Sequence, residues 1–347
     1  MMTANLFEAA TQQGDLANVE QLRPEIITKM AEEAVVRTAE LAYVTPIVEA
    51  DCLDGVLLKA EYRSPGGSFK RRGAGNAAAA YQALGYDHLF VATRGNHGIG
   101  AAEAGQHYGM RVTAAMPESV SSEKKRLIRG YGAEVVECPG GLEQTVNQGL
   151  RLCEEAGGRF VHPYANSLVI AGQATMGLEL LDQVPDMTHL VLPVGGSGLY
   201  VGVASVIRER LKNRGVTLVA AQVAGCDAFV RSLKSGKPEQ LEHVDSRFEG
   251  VAVGTTHPLM LEAAKPLVDR TIVVQPDEVY KTLYDFRRET GELWEPAGGV
   301  AATAARKLIA ELCDATAQVV AVASGANPTA ALPGYLDARA RRFEWPS

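Results

Sequence analysis

Two hydrophobic rhythms alternate along this chain. Between residues 22 and 42, Ile26, Ile27, Met30, Ala34 and Val35 fall at roughly helical spacing, which predicts an amphipathic helix ended by Thr45-Pro46. Val56-Leu57-Leu58-Lys59-Ala60 then reads as a strand and residues 77–83 as an alanine-rich helix. His88 to Thr93 is apolar enough for a buried strand, and a small-residue helix follows through His107. The same order repeats downstream. Strands are predicted at 110–116, 133–138, 190–194, 217–223 and 318–323, with a short extended piece at 160–162. Helices are predicted at 121–131, 142–156, 170–181, 200–213, 276–290 and 300–312. Strands alternating with helices at this spacing make βαβ units, hence an α/β fold with mostly parallel sheets. Residues 232–257 are polar and turn-rich, more like the rim of a site than a linker, and no internal repeat is visible.

Composition narrows the function classes. The 347 residues are 46% hydrophobic and 22% charged, enough for a sizeable core in two lobes. A net charge of −7 without long Lys/Arg runs argues against a nucleic-acid partner. No apolar run is long enough to span a membrane, and the polar start of the chain does not read as a signal peptide, so a cytoplasmic protein is expected. Cys52, Cys138, Cys153, Cys226 and Cys313 are odd in number and scattered without a CxxC, which fits reduced thiols and neither a disulfide nor a zinc framework.

The chemistry concentrates in loops that follow strands, where the carboxyl ends of a parallel sheet line a ligand crevice. Pro65-Gly66-Gly67 forces a turn and Ser68 is a good N-cap, which puts Lys70 in the first turn of a helix. The positive end of the helix dipole and partial burial would there favour the neutral amine, the form that makes a Schiff base. Glycines in Gly195-Gly196-Ser197-Gly198 free backbone N–H groups at a helix start, an anion cradle suited to phosphate. Three other readings of that loop fail. As a dinucleotide site it lacks an acidic residue at the end of the next strand, which carries Gln222. A nucleophile elbow is excluded by Leu199 in place of the last glycine, and a P-loop by the missing lysine. Thr93-Arg94-Gly95-Asn96-His97 also feeds a helix N-terminus and can take a carboxylate; Asn96 is either a polar anchor there or a cap on its own helix. His97 belongs to no metal-binding pattern, and no metal site is expected. Ser324 closes the last strand, where a hydroxyl can meet a ligand ring nitrogen.

Ser68-Phe69-Lys70-Arg71-Arg72-Gly73-Ala74 resembles the lysine motif of the fold-type II pyridoxal phosphate enzymes, specifically the threonine/serine dehydratase and serine racemase family. Gly95-Asn96-His97-Gly98, Ala171-Gly172-Gln173-Ala174-Thr175, the run Pro193 to Leu199, Glu295-Pro296-Ala297-Gly298 and Ser324-Gly325-Ala326-Asn327 resemble its other blocks, in the family's order. The resemblance implies a tryptophan synthase beta-like fold: a large domain of residues 1–85 and 166–347, a small mobile domain of 86–165, and pyridoxal 5'-phosphate in the cleft between them. It implies Lys70 as the Schiff-base lysine and catalytic base, with Phe69 packed by the pyridine ring. Gly195, Gly196, Ser197, Gly198 and Leu199 would hold the phosphate. Asn96 would bond the phenolic oxygen and Ser324 face the ring nitrogen, with Gly254 and Glu295 also on the cofactor. Thr93, Arg94, Gly95, Asn96 and His97 would hold the substrate carboxylate. A homodimer is implied as well.

The implied activity is a dehydratase, or ammonia-lyase, acting on a β-hydroxy amino acid such as serine, threonine or 3-hydroxyaspartate. The other readings are β-replacement or racemisation on the same fold and, outside the family, an NAD-dependent dehydrogenase. Four departures stand out. Ser197 interrupts a loop that is usually all glycine in the family, which adds a hydroxyl donor for the phosphate. Arg94 stands where dehydratases carry serine, which disfavours racemisation. It either binds a second substrate carboxylate or turns outward to a surface acid. Gln222 and Ala228 occupy the places of the carboxylates of the family's divalent-metal site, and no residues follow Ser347 to form a regulatory C-terminal domain.

Overall fold

A computed structural model describes residues 18–312, 314 and 316–342. The polar start of the chain up to residue 17, and Cys313, lie outside these. The strands are β1 (Ile47–Val48), β2 (Leu57–Lys59), β3 (His88–Ala92), β4 (Arg111–Pro117), β5 (Glu134–Cys138), β6 (Arg159–Phe160), β7 (His189–Pro193), β8 (Thr217–Val223), β9 (Arg270–Val274) and β10 (Val319–Val322). They form two sheets, of order β1-β2-β10-β7-β8-β9 and β5-β4-β3-β6. Every pairing is parallel except β1 with β2. The α/β class and its two parallel-sheet lobes are therefore as expected. In the larger sheet Leu57 pairs with Val320, Val319 with His189, and Thr217 with His189 on the other side.

Helices cover both faces of each sheet, so central strands are apolar without alternation; all five residues of β3 are buried. One core cluster fills one face of the larger sheet with Leu190, Leu192 and Tyr200, and another fills the opposite face with Val191, Val219 and Trp294. A third core, around Leu89, Val91 and Ile128, belongs to the smaller sheet.

Several elements match the hydrophobic pattern residue for residue, among them the helices Leu142–Ala156 and Pro276–Thr290 and strand β8. Others differ for identifiable reasons. The first helix covers only Pro24–Arg37, and it turns Ile27, Ala31 and Ala34 inward while Ile26 and Val35 stay exposed. The stretch read as a polar rim begins inside the helix Ala228–Ser235, and the helix Pro258–Ala264 follows it directly; both are short, so their periodicity is weak. Edge strand β9 and the helix Leu332–Arg342 had no expectation at all. The helix carrying the key lysine, Lys70–Ala83, starts seven residues before the alanine run, and its N-cap is Phe69, not Ser68. Ser68 is fully extended and bridges Gly325 instead, so the end of β10, not a cap, fixes this turn.

Candidate active site

The turns after β2, β7 and β10 of the larger sheet and after β3 of the smaller one converge on one cleft. The entry to the Lys70 helix is anchored by Phe69 N–H donating to the Ser324 carbonyl at 3.2 Å and by Gly67 O accepting from Ala326 at 2.8 Å. Behind it, the Ala171–Thr175 motif packs this helix against the helix Ser167–Gln183. A Cβ on Gly172 would stand 2.4 Å from the Arg72 carbonyl, and one on Gly73 would stand 2.4 Å from Gln173. That motif thus sets the height of Lys70; it does not itself reach the cleft.

Lys70 Nζ lies at the floor of the cleft, donating to the Pro163 carbonyl at 2.9 Å and standing 5.0 Å from the centre of the Phe69 ring. Burial lowers its pKa to about 8, against a smaller upward pull from Glu295. Desolvation therefore shifts the amine, where the dipole of the helix start was expected to share the work. Two imidazoles, His97 and His162, lie close enough to feel the amine's charge, and a third, His257, stands near His162. Burial, followed by the Lys70 charge, holds His97 down at about 3, and burial holds His257 at about 4. Burial together with His257, His97 and Lys70 keeps His162 far below its ordinary range. All three are neutral at pH 7 and add no positive charge to the cleft.

On the side of the larger sheet, the turn after β7 enters the helix Gly198–Arg210. Gly196 has no room for a side chain: a Cβ would sit 2.2 Å from the Tyr164 ring. Ser197 holds the left-handed conformation at φ 70, rare for a residue with a Cβ. Its hydroxyl is buried and has no protein partner among the described residues. Leu199 turns its side chain into the core, leaving only its backbone at the helix start. Gly254 does not line the cleft; its carbonyl accepts from Leu241 N–H at 2.8 Å in a turn of the rim. Ser324 is buried at the end of β10 beside Phe69.

On the side of the smaller sheet, Thr93 Oγ1 accepts from the N–H groups of Gly95 at 2.9 Å and Gly98 at 3.0 Å, and Thr93 N–H donates to Ala115. The N–H groups of Thr93 and Gly95 are thus engaged within the protein, which leaves those of Asn96 and His97, in the first turn of their helix, for a carboxylate. Asn96 does not cap its own helix. Its side chain crosses the cleft, donating to Glu295 at 2.6 Å and accepting from Asn327 at 2.9 Å. Burial pushes the Glu295 carboxyl up, opposed by Lys124 and Asn96. Arg94 also faces the cleft, alongside Lys70, Asn96 and Tyr164.

Tyr164 and Lys124 are among the cleft residues that the sequence reading did not single out. Tyr164 fills the space that the glycines vacate. Lys124, on the helix expected at 121–131, is 6% exposed and forms an ion pair with Glu249 at the cleft wall. Gly95, at φ 146, permits this, because a Cβ there would meet Lys124 Cδ at 2.6 Å. Gln222 is buried between Val194 O and Val230 N–H, and no group of three His, Cys, Asp or Glu among the described residues is placed to hold a metal.

An amine of lowered pKa beside an aromatic ring, with an anion cradle and a terminal hydroxyl within one cleft, defines a site for a phosphorylated carbonyl cofactor held as a Schiff base. Comparison with known proteins agrees: residues 39–325 match the model of the family described as pyridoxal-phosphate dependent enzyme, and the chain belongs to that family. The biosynthetic L-threonine dehydratase of Pasteurella multocida is 30% identical over 83% of this chain and 57% of its own length. The L-threonine ammonia-lyase of Geobacter sulfurreducens is 32% identical over 78% of this chain and 67% of its own length. The chain thus spans little more than half of the Pasteurella relative. Among solved structures, the processed form of threonine deaminase isoform 2 from Solanum lycopersicum superposes with a TM-score of 0.82 at 26% identity, covering 90% of this chain and 88% of that one.

The residues present fit pyridoxal phosphate. The orphaned Ser197 hydroxyl and the N–H groups of the helix start suit its phosphate, Lys70 its aldehyde, the Phe69 ring its pyridine, and Ser324 its ring nitrogen.

Proposed function

We propose that the protein is a pyridoxal phosphate-dependent dehydratase, or ammonia-lyase, that converts a β-hydroxy amino acid to a 2-oxo acid and ammonia. The observation that carries this is Lys70: an amine poised near neutrality by burial, at the meeting point of an anion cradle and a carboxylate-binding helix start. The names of the threonine dehydratase and ammonia-lyase relatives support the same reading.

When bound, the cofactor supplies an electron sink for the bonds at Cα. Lys70 would anchor the cofactor, and its free Nζ would take the Cα proton of the substrate. The N–H groups of Asn96 and His97 hold the substrate carboxylate. Ser324, a neutral hydroxyl, would face the pyridine nitrogen without protonating it, which would favour elimination over transamination. The β-hydroxyl departs as water, and water returned on hydrolysis of the product releases the 2-oxo acid and ammonia. Neutral His97 and His162 place no second cation next to Lys70, which keeps its amine basic, while burial keeps it deprotonatable.

The strands of the smaller sheet all fall within residues 86–165, which supports that segment as the small mobile domain, the rest of the chain forming the large one. A homodimer in the cytoplasm is part of the same proposal; no helix among the described residues is long and apolar enough to cross a membrane. The test is release of ammonia and 2-oxo acid from serine, threonine, 3-hydroxyaspartate and phenylserine, by the wild type and Lys70→Ala. Release from at least one substrate by the wild type alone is expected. Products from none of the four, or from the lysine variant, would reject the assignment.

A further inference from the structure

We infer that Arg94 is the binding residue for a second carboxylate, so that the preferred substrate of the proposed reaction is a β-hydroxy amino acid with an acidic side chain, the 3-hydroxyaspartate class. This rests on the dehydratase reading for its chemistry, but on Arg94 alone for its specificity.

Three observations carry it. First, Arg94 does not turn outward: it lines the same cleft wall as Lys70, Thr93 and Asn96. Second, its guanidinium has no ion pair among the described residues. It makes one long hydrogen bond, from Nη1 to the Ala252 carbonyl at 3.3 Å. Arg71 and Arg72, nearby on the Lys70 helix, are by contrast each clasped by carboxylates, Glu103 for one and Glu61 with Glu179 for the other. Four of the five N–H donors of Arg94 thus remain for a ligand, in the fork geometry that suits a carboxylate. Third, the nearby charges do not cancel. Glu249 attracts Arg94 from a distance but is already paired with Lys124, so no carboxylate among the described residues clasps the guanidinium.

A partly buried, unpaired guanidinium is costly, and burial lowers its pKa accordingly. A substrate with a neutral side chain leaves that cost in place, whereas one with a distal carboxylate removes it. Position supports the same assignment. Arg94 lies two residues before Asn96 and three before His97, whose N–H groups take the α-carboxylate, and all three line the same cleft.

The experiment uses holoenzyme of the wild type, Arg94→Gln and Arg94→Lys. Its first arm compares kcat/KM for 3-hydroxyaspartate, serine and threonine. The wild type is expected to prefer the acidic substrate, and Arg94→Gln to lose on it about 30-fold more than on the neutral pair. Arg94→Lys should recover part of that. The second arm needs no turnover: aspartate and alanine, which lack the leaving hydroxyl, are titrated against the visible absorbance of the cofactor. The wild type should bind aspartate at least about tenfold tighter than alanine, and Arg94→Gln should erase the difference. Equal affinity for the two in the wild type, or an unchanged ratio in Arg94→Gln, overturns the inference. If no β-hydroxy amino acid is turned over, the dehydratase reading fails while the aspartate-to-alanine ratio still decides the role of Arg94.

Discussion

Removing one guanidinium two residues beyond the catalytic lysine tests how the site is held in place. Arg72 is a buried hub. Nε and Nη2 both donate to Glu61 at 2.9 Å, and Nη1 and Nη2 donate to Glu179 at 2.6 and 2.8 Å. Glu61 is fully buried, and Lys59, also fully buried, reaches Glu179 and the Thr45 carbonyl. Arg72→Leu keeps the apolar stem but leaves Glu61 with only Thr45 and the more distant Lys59. Breaking a buried pair from one side costs about 3–5 kcal/mol, because the remaining charge is uncompensated. With an unfolding entropy of about 2.1 cal/mol/K per residue, that is a melting-temperature loss of about 4–7 °C at pH 7 for a chain of this size.

The sign of the pH dependence makes the test sharper. In the wild type, burial pushes the Glu61 carboxyl up, but Arg72, with Lys59 and Thr45, more than reverses it, so its folded pKa lies below the ordinary value. The stabilisation is then complete above the unfolded pKa of about 4.3 and fades as pH falls through the folded one. In Arg72→Leu the burial effect prevails and the folded pKa lies above the unfolded one. Protonating Glu61 then relieves the variant as the pH drops. The gap between the two melting curves should therefore narrow from pH 7 towards pH 4.5. The double variant Arg72→Leu with Glu61→Gln should regain part of the loss at pH 7. A loss below about 1 °C, a gap that widens on acidification, or strictly additive losses in the double variant would refute the account of a charge-paired hub.

Other consequences follow from the same geometry. Covalent capture of pyridoxal phosphate by the apoprotein, trapped with borohydride, should map to Lys70. Its rate should rise with pH and level off near 8, because burial lowers the amine to about 8, well under the usual lysine value of about 10.4; levelling near 10 would contradict a desolvated lysine. Ser197→Ala should weaken cofactor affinity by about tenfold or more, the worth of a hydrogen bond to a charged group, while the apoprotein melts no lower because the hydroxyl has no protein partner to lose. Gly196→Ala should abolish cofactor binding by driving a methyl into the Tyr164 ring, and equilibrium dialysis of the cofactor would check it. Dialysis against a chelator should leave activity and melting temperature unchanged, since Gln222 is bound to Val194 and Val230; a loss restored by Mg²⁺ or Ca²⁺ would point to ligands elsewhere.

How much of this was legible in the sequence depended on how local the cause was. Strand β8 and the helices Leu142–Ala156 and Pro276–Thr290 follow from apolar spacing alone, since each is an ordinary element with one buried face. The glycine loop was legible because its cause is a backbone requirement: no side chain fits between Gly196 and Tyr164. The start of the Lys70 helix was misread because Ser68 has the right side chain for a cap, and only the end of β10, more than 250 residues away, draws it into a bridge with Gly325.

Lys124 shows the same limit at the cleft itself. Along the sequence it belongs to a run of basic residues on an amphipathic helix, where a solvated lysine is the reasonable expectation. Two distant features bury it: Gly95, which leaves room for its stem, and Glu249, which neutralises its charge. Neither is near Lys124 along the chain, so no local periodicity there foretells its burial. Arg94 differs in kind. Its chemistry was visible as a departure from the expected serine, but its direction was not, because an arginine before a helix start can point either way. Its direction is set by the far wall of the cleft, where Ala252 offers a carbonyl and no carboxylate among the described residues comes within pairing distance of the guanidinium. The residues that set cofactor chemistry sit in short motifs, whereas those that set the charge of the cleft are assembled across both sheets, so a family resemblance reaches the reaction sooner than it reaches the substrate.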